Sequence, residues 1–507
     1  MFLKSPSWLI TCASFSFPLK ESRRKKGNVG RESKVSPLER PVPLSQMKLN
    51  YDSNTSSATE AQDTLFDSSY PSPTGSLPEV DTSRQAWTYV FAMFILEVAI
   101  WGFASSYGIL LDYYLHSKFS NEASSLFILP LVGTVNTGIM AALTPMLALL
   151  TNRFPRLKTP LCCFGVVVFV LSIFLSSFST KSLHVLLTLG VGYAIGGIAI
   201  HFPALSYLPS WFEARQGLAN GIVFSGNAVG GLIFPIILEF LLKRGGAEKA
   251  LKYIALILGA LCTLALCIIK PRIPPSLQAQ KQKEKVSSTL GNIQVFKDWK
   301  FWGFLICNTT QALASFLPGL YLPNYAHSMS LGPSSVAIIL ATLRISGIFG
   351  RIIFGTISDF ISPHLIGSVS SGVGSISVLC IWGILGAHGL PSLVIFAALF
   401  GLTADGWASL YFPIIARAKV DQKTTMTMFG ALSITRGIGN IVAAPVSSGL
   451  RHAKLATLSA TGFGVMSSSY SSLILFCGVG MGGTAVIEAL LYLAFQQKQD
   501  STSKAQV

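Results

Sequence analysis

The chain has 507 residues, half of them hydrophobic, with only 12% charged and a mean hydropathy of +0.55. Soluble domains carry about 25% charged residues, so there is too little polar material here to coat the two to four globular domains this length would make. Collagen-like, disordered and disulfide-rich secreted classes are excluded on the same figures, which leaves a polytopic membrane protein.

A formal net charge of +16 would suit a nucleic-acid partner only if the basic residues formed a continuous patch. They fall instead in short clusters between apolar runs, the distribution that orients membrane helices, so no nucleic acid is expected. Seven of the eight cysteines lie within apolar runs, and none shows CxxC or Cys/His ligand spacing. They read as small packing residues, and no metal or other cofactor is expected.

Residues 1–85 form a polar N-terminal tail, basic from Lys20 to Lys48 and acidic, Ser/Thr-rich and proline-punctuated from Asp52 to Asp81. Such a composition cannot bury enough apolar area to offset chain entropy, and disorder is expected. The run Trp8 to Pro18 is too short to span a bilayer; a cleaved leader there, or a start at Met47, remains open.

From Trp87 onward, about twelve apolar segments follow, each near the length needed to cross ~30 Å of hydrocarbon. The expected spans are 87–114, 124–150, 159–179, 183–209, 216–240, 250–270, 299–323, 334–357, 365–386, 391–416, 425–450 and 470–495. A polar linker at 271–298 separates a six-helix bundle at 86–270 from a second at 299–496, and a short tail, 497–507, closes the chain. With both termini and the linker cytosolic, the inner segments hold about 27 of the Lys and Arg residues against about 8 outside. Trp87, Trp211 and Trp299 fall near helix ends, where interfacial indoles are favoured. The fold class is thus all-α, twelve transmembrane helices in two six-helix halves.

Local motifs sharpen this. The segment Ser210-Trp211-Phe212-Glu213-Ala214-Arg215-Gln216-Gly217-Leu218-Ala219-Asn220-Gly221 and the run Gly350-Arg351-x-x-x-Gly355-x-x-x-Asp359 resemble signatures of the major facilitator superfamily, in its monocarboxylate transporter-like branch. Tyr107-Gly108 followed by Asp112-Tyr113-Tyr114 in the first helix is similar to the fungal members. The resemblance covers roughly residues 85–497 and implies a carrier working by alternating access, with Arg351 as a site residue and Arg215 and Asp359 as gate residues. Departures accompany it. Ile109 stands where animal members keep a lysine, Gly347 where they keep an aspartate, and Asn152 where the first-half loop signature has Asp. Fungal relatives commonly lack the first two and include exporters of secondary metabolites, so proton–lactate symport does not carry over.

Ionisable residues inside membrane helices cost about 2.5–3.5 kcal/mol each on insertion scales and mark cavities or partners. Arg344 and Arg351, two helical turns apart on one face, would present cationic forks to an anion. Arg351 alternatively ties its helix to a neighbour or to Asp359 as a gate. Glu97 and Asp405 are candidates for proton carriage or for pairing with an arginine. Asn308, Gln311 and Ser315 form a polar stripe on the seventh helix, and Tyr193 and His201 share a side of the fourth. Asn308, Gln311 and Tyr193 are taken as substrate-facing, His201 as a packing histidine, and Arg436 with Asn440 as an inter-helix hydrogen-bonding pair.

Several matches carry no function. Gly478-x-Gly480-x-x-Gly483 has no βαβ unit around it, Gly226-x-x-x-Gly230 permits close helix packing, and the Asn54-Thr55-Ser56 sequon is cytosolic in this topology. With no Walker A, GxSxG or HExxH sequence, neither ATP-driven pumping nor an enzyme is expected. The chain reads as a secondary transporter of a small organic anion or related metabolite, proton-coupled, multi-pass in the plasma membrane. The alternatives are an efflux carrier for a fungal secondary metabolite and, more remotely, a transporter-like nutrient sensor.

Overall fold

The computed structural model describes residues 78–273, 293–452 and 470–504. The readings placed on Trp8 to Pro18, Met47 and the Asn54 sequon, and on most of the linker, lie outside them. Helices follow one another as α1 Arg84–Lys118, α2 Ser125–Arg153, α3 Pro155–Ser176 and α4 Ser182–Trp211. Next comes a continuous run, Gln216–Ile268, of 53 residues, about 80 Å at helical rise and far longer than a bilayer. It breaks at Gly246 (φ 65°, ψ −178°), a left-handed conformation open to glycine. We number its parts α5 (216–245) and α6 (247–268). The second set is α7 Trp299–Ser328, α8 Pro333–Phe360, α9 Pro363–Leu385, α10 Leu390–Arg417, α11 Gln422–His452 and α12 Ser471–Lys504.

Among the described residues, ten helical runs are long and apolar enough to cross a membrane, with α5 and α6 counted as one. Helix α7 is absent from those ten; Lys300, Asn308 and Gln311 lower its hydropathy. Large apolar side chains face outward along the helices, among them Phe127, Val167, Leu256 and Phe349. In water such a surface would aggregate; in lipid it is the solvent-facing side. The chain is a polytopic all-α membrane protein.

Order begins earlier than the composition of the tail suggests. Helix α1 starts at Arg84 with Ser83 as its N-cap, and residues 78–83 pack on the protein. Asp81 N–H donates to Trp211 O (3.1 Å), and Trp87 Nε1–H donates to Asp81 O (3.1 Å). Trp211 is buried, with its Nε1–H donated to Lys270 O (3.1 Å), so its indole belongs to this packing. Trp299, by contrast, is exposed. These contacts bring the start of α1, the end of α4 and the end of α6 together; we call this the tail end of the bundle.

Helix α5 is the most tightly held element. On one face Gly226 and Gly230 meet α1: a Cβ on Gly102 would lie 2.5 Å from Gly230 Cα, and one on Gly226 would lie 2.5 Å from Phe94 O. On another face Gly217 and Gly221 meet α8, where a Cβ on either would stand 2.1 Å from Gly355 O or 2.3 Å from Arg351 O. Small residues let helix backbones touch where lipid supplies no hydrophobic drive. Irregular turns interrupt several helices: π-helical Val98–Gly102 in α1 and Leu186–Gly192 in α4, and 3-10 Asp405–Leu410 in α10.

At the far end, Glu122 in the α1–α2 loop clasps the start of α4. Ser182 N–H donates to Oε2 (3.0 Å) and Ser182 Oγ–H to Oε1 (2.7 Å), while Ser124 Oγ–H adds a bond at 2.8 Å. The Ser182 hydroxyl and amide, then Ser124, hold the Glu122 carboxyl below the usual carboxylate range.

Two predictions follow from this packing. Gly102→Val overpacks the α1–α5 seam and lowers the melting temperature in detergent, at a cost of about 1–3 kcal/mol. Because the folded pKa of Glu122 is depressed, its stabilisation is full above the unfolded value of about 4.3 and disappears as pH falls through the folded one. The melting-temperature gap between parent and Glu122→Gln is therefore expected at neutral pH and closes under acid.

Candidate functional site

The loop before α5 and the first turn of that helix present a run of backbone amides at the tail end, and two carboxylates answer them. Asp81 accepts three of them: Glu213 N–H (3.1 Å) and Arg215 N–H (3.0 Å) on Oδ1, and Ala214 N–H (3.0 Å) on Oδ2. Asp359, at the end of α8 in the other half, accepts the next two, Gly217 N–H (2.6 Å) and Leu218 N–H (3.0 Å). A helix N-terminus presents unsatisfied N–H groups and a positive partial charge, which carboxylates stabilise. One carboxylate thus binds within the first half and the other across the halves. Arg215 is exposed and acts electrostatically on Asp359.

Further ties cross between the halves at this end. Asn152 Nδ2–H donates to Lys423 O (3.2 Å), Asn220 Nδ2–H to Ser409 O (2.9 Å), and Gln422 Nε2–H to Ser206 O (2.9 Å). A Cβ on Gly437 would lie 2.2 Å from Ala141 Cβ, so α2 and α11 also touch. Past the middle of the bundle Ser105 is exposed where α1 breaks into a turn, and a Cβ on Gly108 or Gly319 would meet nothing within 4 Å.

Arg351 sits deeper, just past the tail-end seam. Its side chain is buried; Nε–H donates to Asp405 O (3.1 Å) and an Nη1–H to Phe224 O (2.5 Å) on α5. Nη2 lies 3.6 Å from Asp405 Oδ2. One guanidinium therefore joins α8 and α10 to a backbone carbonyl of the opposite half. Gly347 makes room for this pair, since a Cβ there would stand 2.7 Å from Asp405 Oδ2. The carboxylate arrives from α10, filling space that a side chain at 347 would occupy.

Two turns further along α8, Arg344 is half-buried, and among the described residues no carboxylate lies within ion-pair distance of it. Its Nε lies 3.8 Å from a Cβ built on Gly231, and Ser105 Cβ approaches the same point to 3.5 Å. Ser105 Oγ–H donates to Asn227 Oδ1 (2.9 Å). An arginine of one half thus faces hydroxyl and amide groups of the other. Glu97, Arg344, Asp405 and Arg436 all act electrostatically on Arg351, which places them in one charged cluster.

The remaining residues singled out from the sequence divide. Asn308 and Gln311 are buried and turned into helix contacts. Asn308 donates to Leu432 O and Thr435 Oγ1 (both 2.8 Å), and its Oδ1 accepts Tyr411 O–H (2.6 Å). Gln311 donates to Ala404 O (3.0 Å) and accepts an Arg436 Nη1–H (3.1 Å). Arg436 also donates to Tyr411 Oη (3.2 Å), the inter-helix role expected of it. Tyr193 is buried among Phe103 and Phe169 with its hydroxyl on Ile100 O, away from Arg344 and its neighbours.

His201 differs from the packing histidine expected. Its Nε2 lies 2.6 Å from Glu97 Oε1, both side chains are buried, and Trp101 meets the ring edge-on. Sequence spacing cannot reveal a pair separated by 104 positions. Asp81 and Phe224 O were missed too, the first because it lies in a polar tail and the second because any residue supplies a carbonyl.

This fold and its closed end define a class: a polytopic carrier with a charged cluster between two helical halves. The Major Facilitator Superfamily model matches residues 87–444, and the chain belongs to that superfamily of transporters. Similar proteins include "MFS-type transporter hasB" of Aspergillus fumigatus, 26% identical over 75% of this chain and 85% of that protein. "Agnestins efflux protein AgnL12" of Paecilomyces divaricatus is 26% identical over 73% of this chain and 82% of its own. "Aspyridones efflux protein apdF" of Emericella nidulans is 23% identical over 85% and 86%.

The α5–α8 seam generates a prediction. A cysteine replacing Ser358, which is buried beside Gly217, labels slowly with a bulky maleimide in a cysteine-free background. Adding Asp359→Ala raises that rate by about fivefold, the effect of losing one charge-assisted clasp. Adding Asp81→Ala leaves it unchanged, because that carboxylate binds within one half.

Proposed function

We propose that the chain is a secondary transporter exporting an organic metabolite that carries an anionic group, by alternating access about the Arg344 level. The observation that carries this reading is Arg344 itself. It is a half-buried guanidinium with no carboxylate within ion-pair distance among the described residues, facing Ser105 and Asn227 of the opposite half. Unlike Arg436, which donates to Gln311 and Tyr411, it also has no hydrogen-bond acceptor among the described residues, and such a guanidinium suits an anion.

Export takes precedence over monocarboxylate uptake because two of the similar proteins carry efflux in their names. The missing branch residues point the same way. Ile109 offers no charge, and the aspartate absent at Gly347 has Asp405 in its space, supplied from another helix. Arg351 serves as the cross-half tie, and Arg215 and Asp359 as the tail-end gate.

Two acidic groups suit proton coupling. Asp405 is partly accessible, its side chain 27% exposed, and holds Arg351. Protonating it removes the charge that pairs with Arg351, which weakens the tie to Phe224 O and favours opening of the tail end. Glu97 and His201 share a short buried hydrogen bond and can hold a proton between them. With the termini cytosolic, as the basic-residue count suggests, the tail end is the inner gate and the structure is closed towards the cytosol.

Flux in proteoliposomes tests this reading, using a panel that runs from small monocarboxylates to large lipophilic acids, with and without a pH gradient. Gradient-dependent flux of a lipophilic acid, reduced about tenfold or more by Arg344→Gln, is the expected result. Asp405→Asn is expected to retain exchange but lose its response to the gradient. Flux of small monocarboxylates alone would return the reading to the uptake branch. Unchanged flux in Arg344→Gln would remove Arg344 from the site.

A further inference from the structure

A second charged site lies on the outside of the first half, apart from the transport pathway. At the tail end, α3, α4 and α6 enclose a cleft of about 350 Å³ whose lining includes Lys158, Cys162, Cys163, Tyr207, Cys267 and Ile269. Its walls are mostly apolar or sulfur-bearing, with hydroxyls from Thr159, Tyr207 and Thr263, and its one lining cation is Lys158, which is 8% exposed.

The surroundings of Lys158 do not neutralise it. Its Nζ donates to Ser206 Oγ (2.7 Å) and stands 4.8 Å from the centre of the Tyr207 ring. Ser206 Oγ–H in turn donates to Pro203 O (2.7 Å), so the serine is fully engaged. Among the described residues, no carboxylate lies within ion-pair distance of the ammonium. A lysine has three donors and a whole charge; one hydroxyl and a ring face answer only part of that. A buried cation held this way is costly unless an anion completes it.

Everything beside the cleft fits an amphiphile. Lys158 opens the first α-helical turn of α3, whose partial positive charge adds to its own. Lys270 is exposed at the rim, between the lining residues Ile269 and Pro271. Away from the tail end, Phe164 and Val167 of α3 and Leu264 of α6 are exposed along the same helices. A phosphate at Lys158 would thus continue into hydrocarbon, which inorganic phosphate cannot use.

We infer that this cleft binds a phosphate-bearing anionic phospholipid, with the headgroup on Lys158 and Lys270 and the acyl chains along α3 and α6. Cationic pockets between helices near a membrane surface recognise anionic headgroups in this way. Ser206 O accepts the Gln422 Nε2–H bond from α11, so the headgroup sits beside a contact between the halves.

The test is native mass spectrometry of the full chain released from nanodiscs of phosphatidylcholine into which phosphatidylserine is titrated. The parent is expected to retain one phosphatidylserine in preference to phosphatidylcholine. Lys158→Met is expected to lower that preference about fivefold, as for one cation near a lipid headgroup, and Lys158→Arg to preserve it. Cys267→Phe fills the cleft from an exposed position with Lys158 intact; it is expected to reduce retention and decides the matter if Lys158→Met does not fold. Parental preference in both Lys158→Met and Cys267→Phe overturns the site. Displacement of the lipid by millimolar inorganic phosphate overturns the lipid assignment and makes the ligand a free anion.

Discussion

The contact on which the rest depends is backbone against backbone between α5 and α8. Arg351 can give a hydrogen bond to Phe224 O only because Gly221 and Gly355 let the two helices come this close. Without that approach the guanidinium would face hydrocarbon or water, and Asp405 would lose the partner that brings it beside Gly347. The same closeness lets Asp359 reach the first amides of α5. The other face of α5, through Gly226 and Gly230, is fixed to α1. A single helix is thereby packed backbone to backbone within its own half on one side and against the other half on the second.

In the proposed mechanism, this division would let bonds of modest individual worth gate the motion between the halves. The bonds across the halves among the described residues end on carbonyls, amides, a carboxylate or a hydroxyl, groups whose partner water can replace. Asn152, Asn220 and Gln422 are amides of this kind, and Asp359 answers helix N–H groups. The exception is Arg351, whose charge is buried and pairs with the Asp405 carboxylate. In the proposed mechanism its pairing would therefore distinguish a closed tail end from an open one more sharply than any neutral amide does.

What the sequence made legible follows from what a local pattern can encode. Hydropathy runs gave the spans, because a helix in lipid satisfies its own backbone and needs only length and apolarity. Even the α5–α6 break fell in an expected gap, though not as a glycine within a continuous helical run. Arg344, Arg351, Glu97 and Asp405 were legible as charges that a membrane helix does not carry idly. Their partners were not, since Glu97 meets His201 and Arg351 meets Phe224 O only through tertiary contact. The polar stripe on α7 misled for a related reason: Asn308 and Gln311 share a face, but that face looks at α10 and α11, whose carbonyls and side chains satisfy it.

Asp81 and Lys158 show the limit from opposite directions. Asp81 lies in a segment whose composition implies disorder, yet its carboxylate collects three amides from the loop before α5. Composition averages over a window, whereas a clasp needs one residue in the left-handed region, here at φ 64°. Lys158 was counted among loop charges that orient the chain, and the fold buries it instead. A basic residue near a membrane surface has both options, because its apolar stem can lie along a helix while its ammonium seeks an anion. Which option it takes depends on whether a neighbouring carboxylate is within reach. Where none is, the lipid headgroups that surround every membrane protein are the most abundant anions left to answer it.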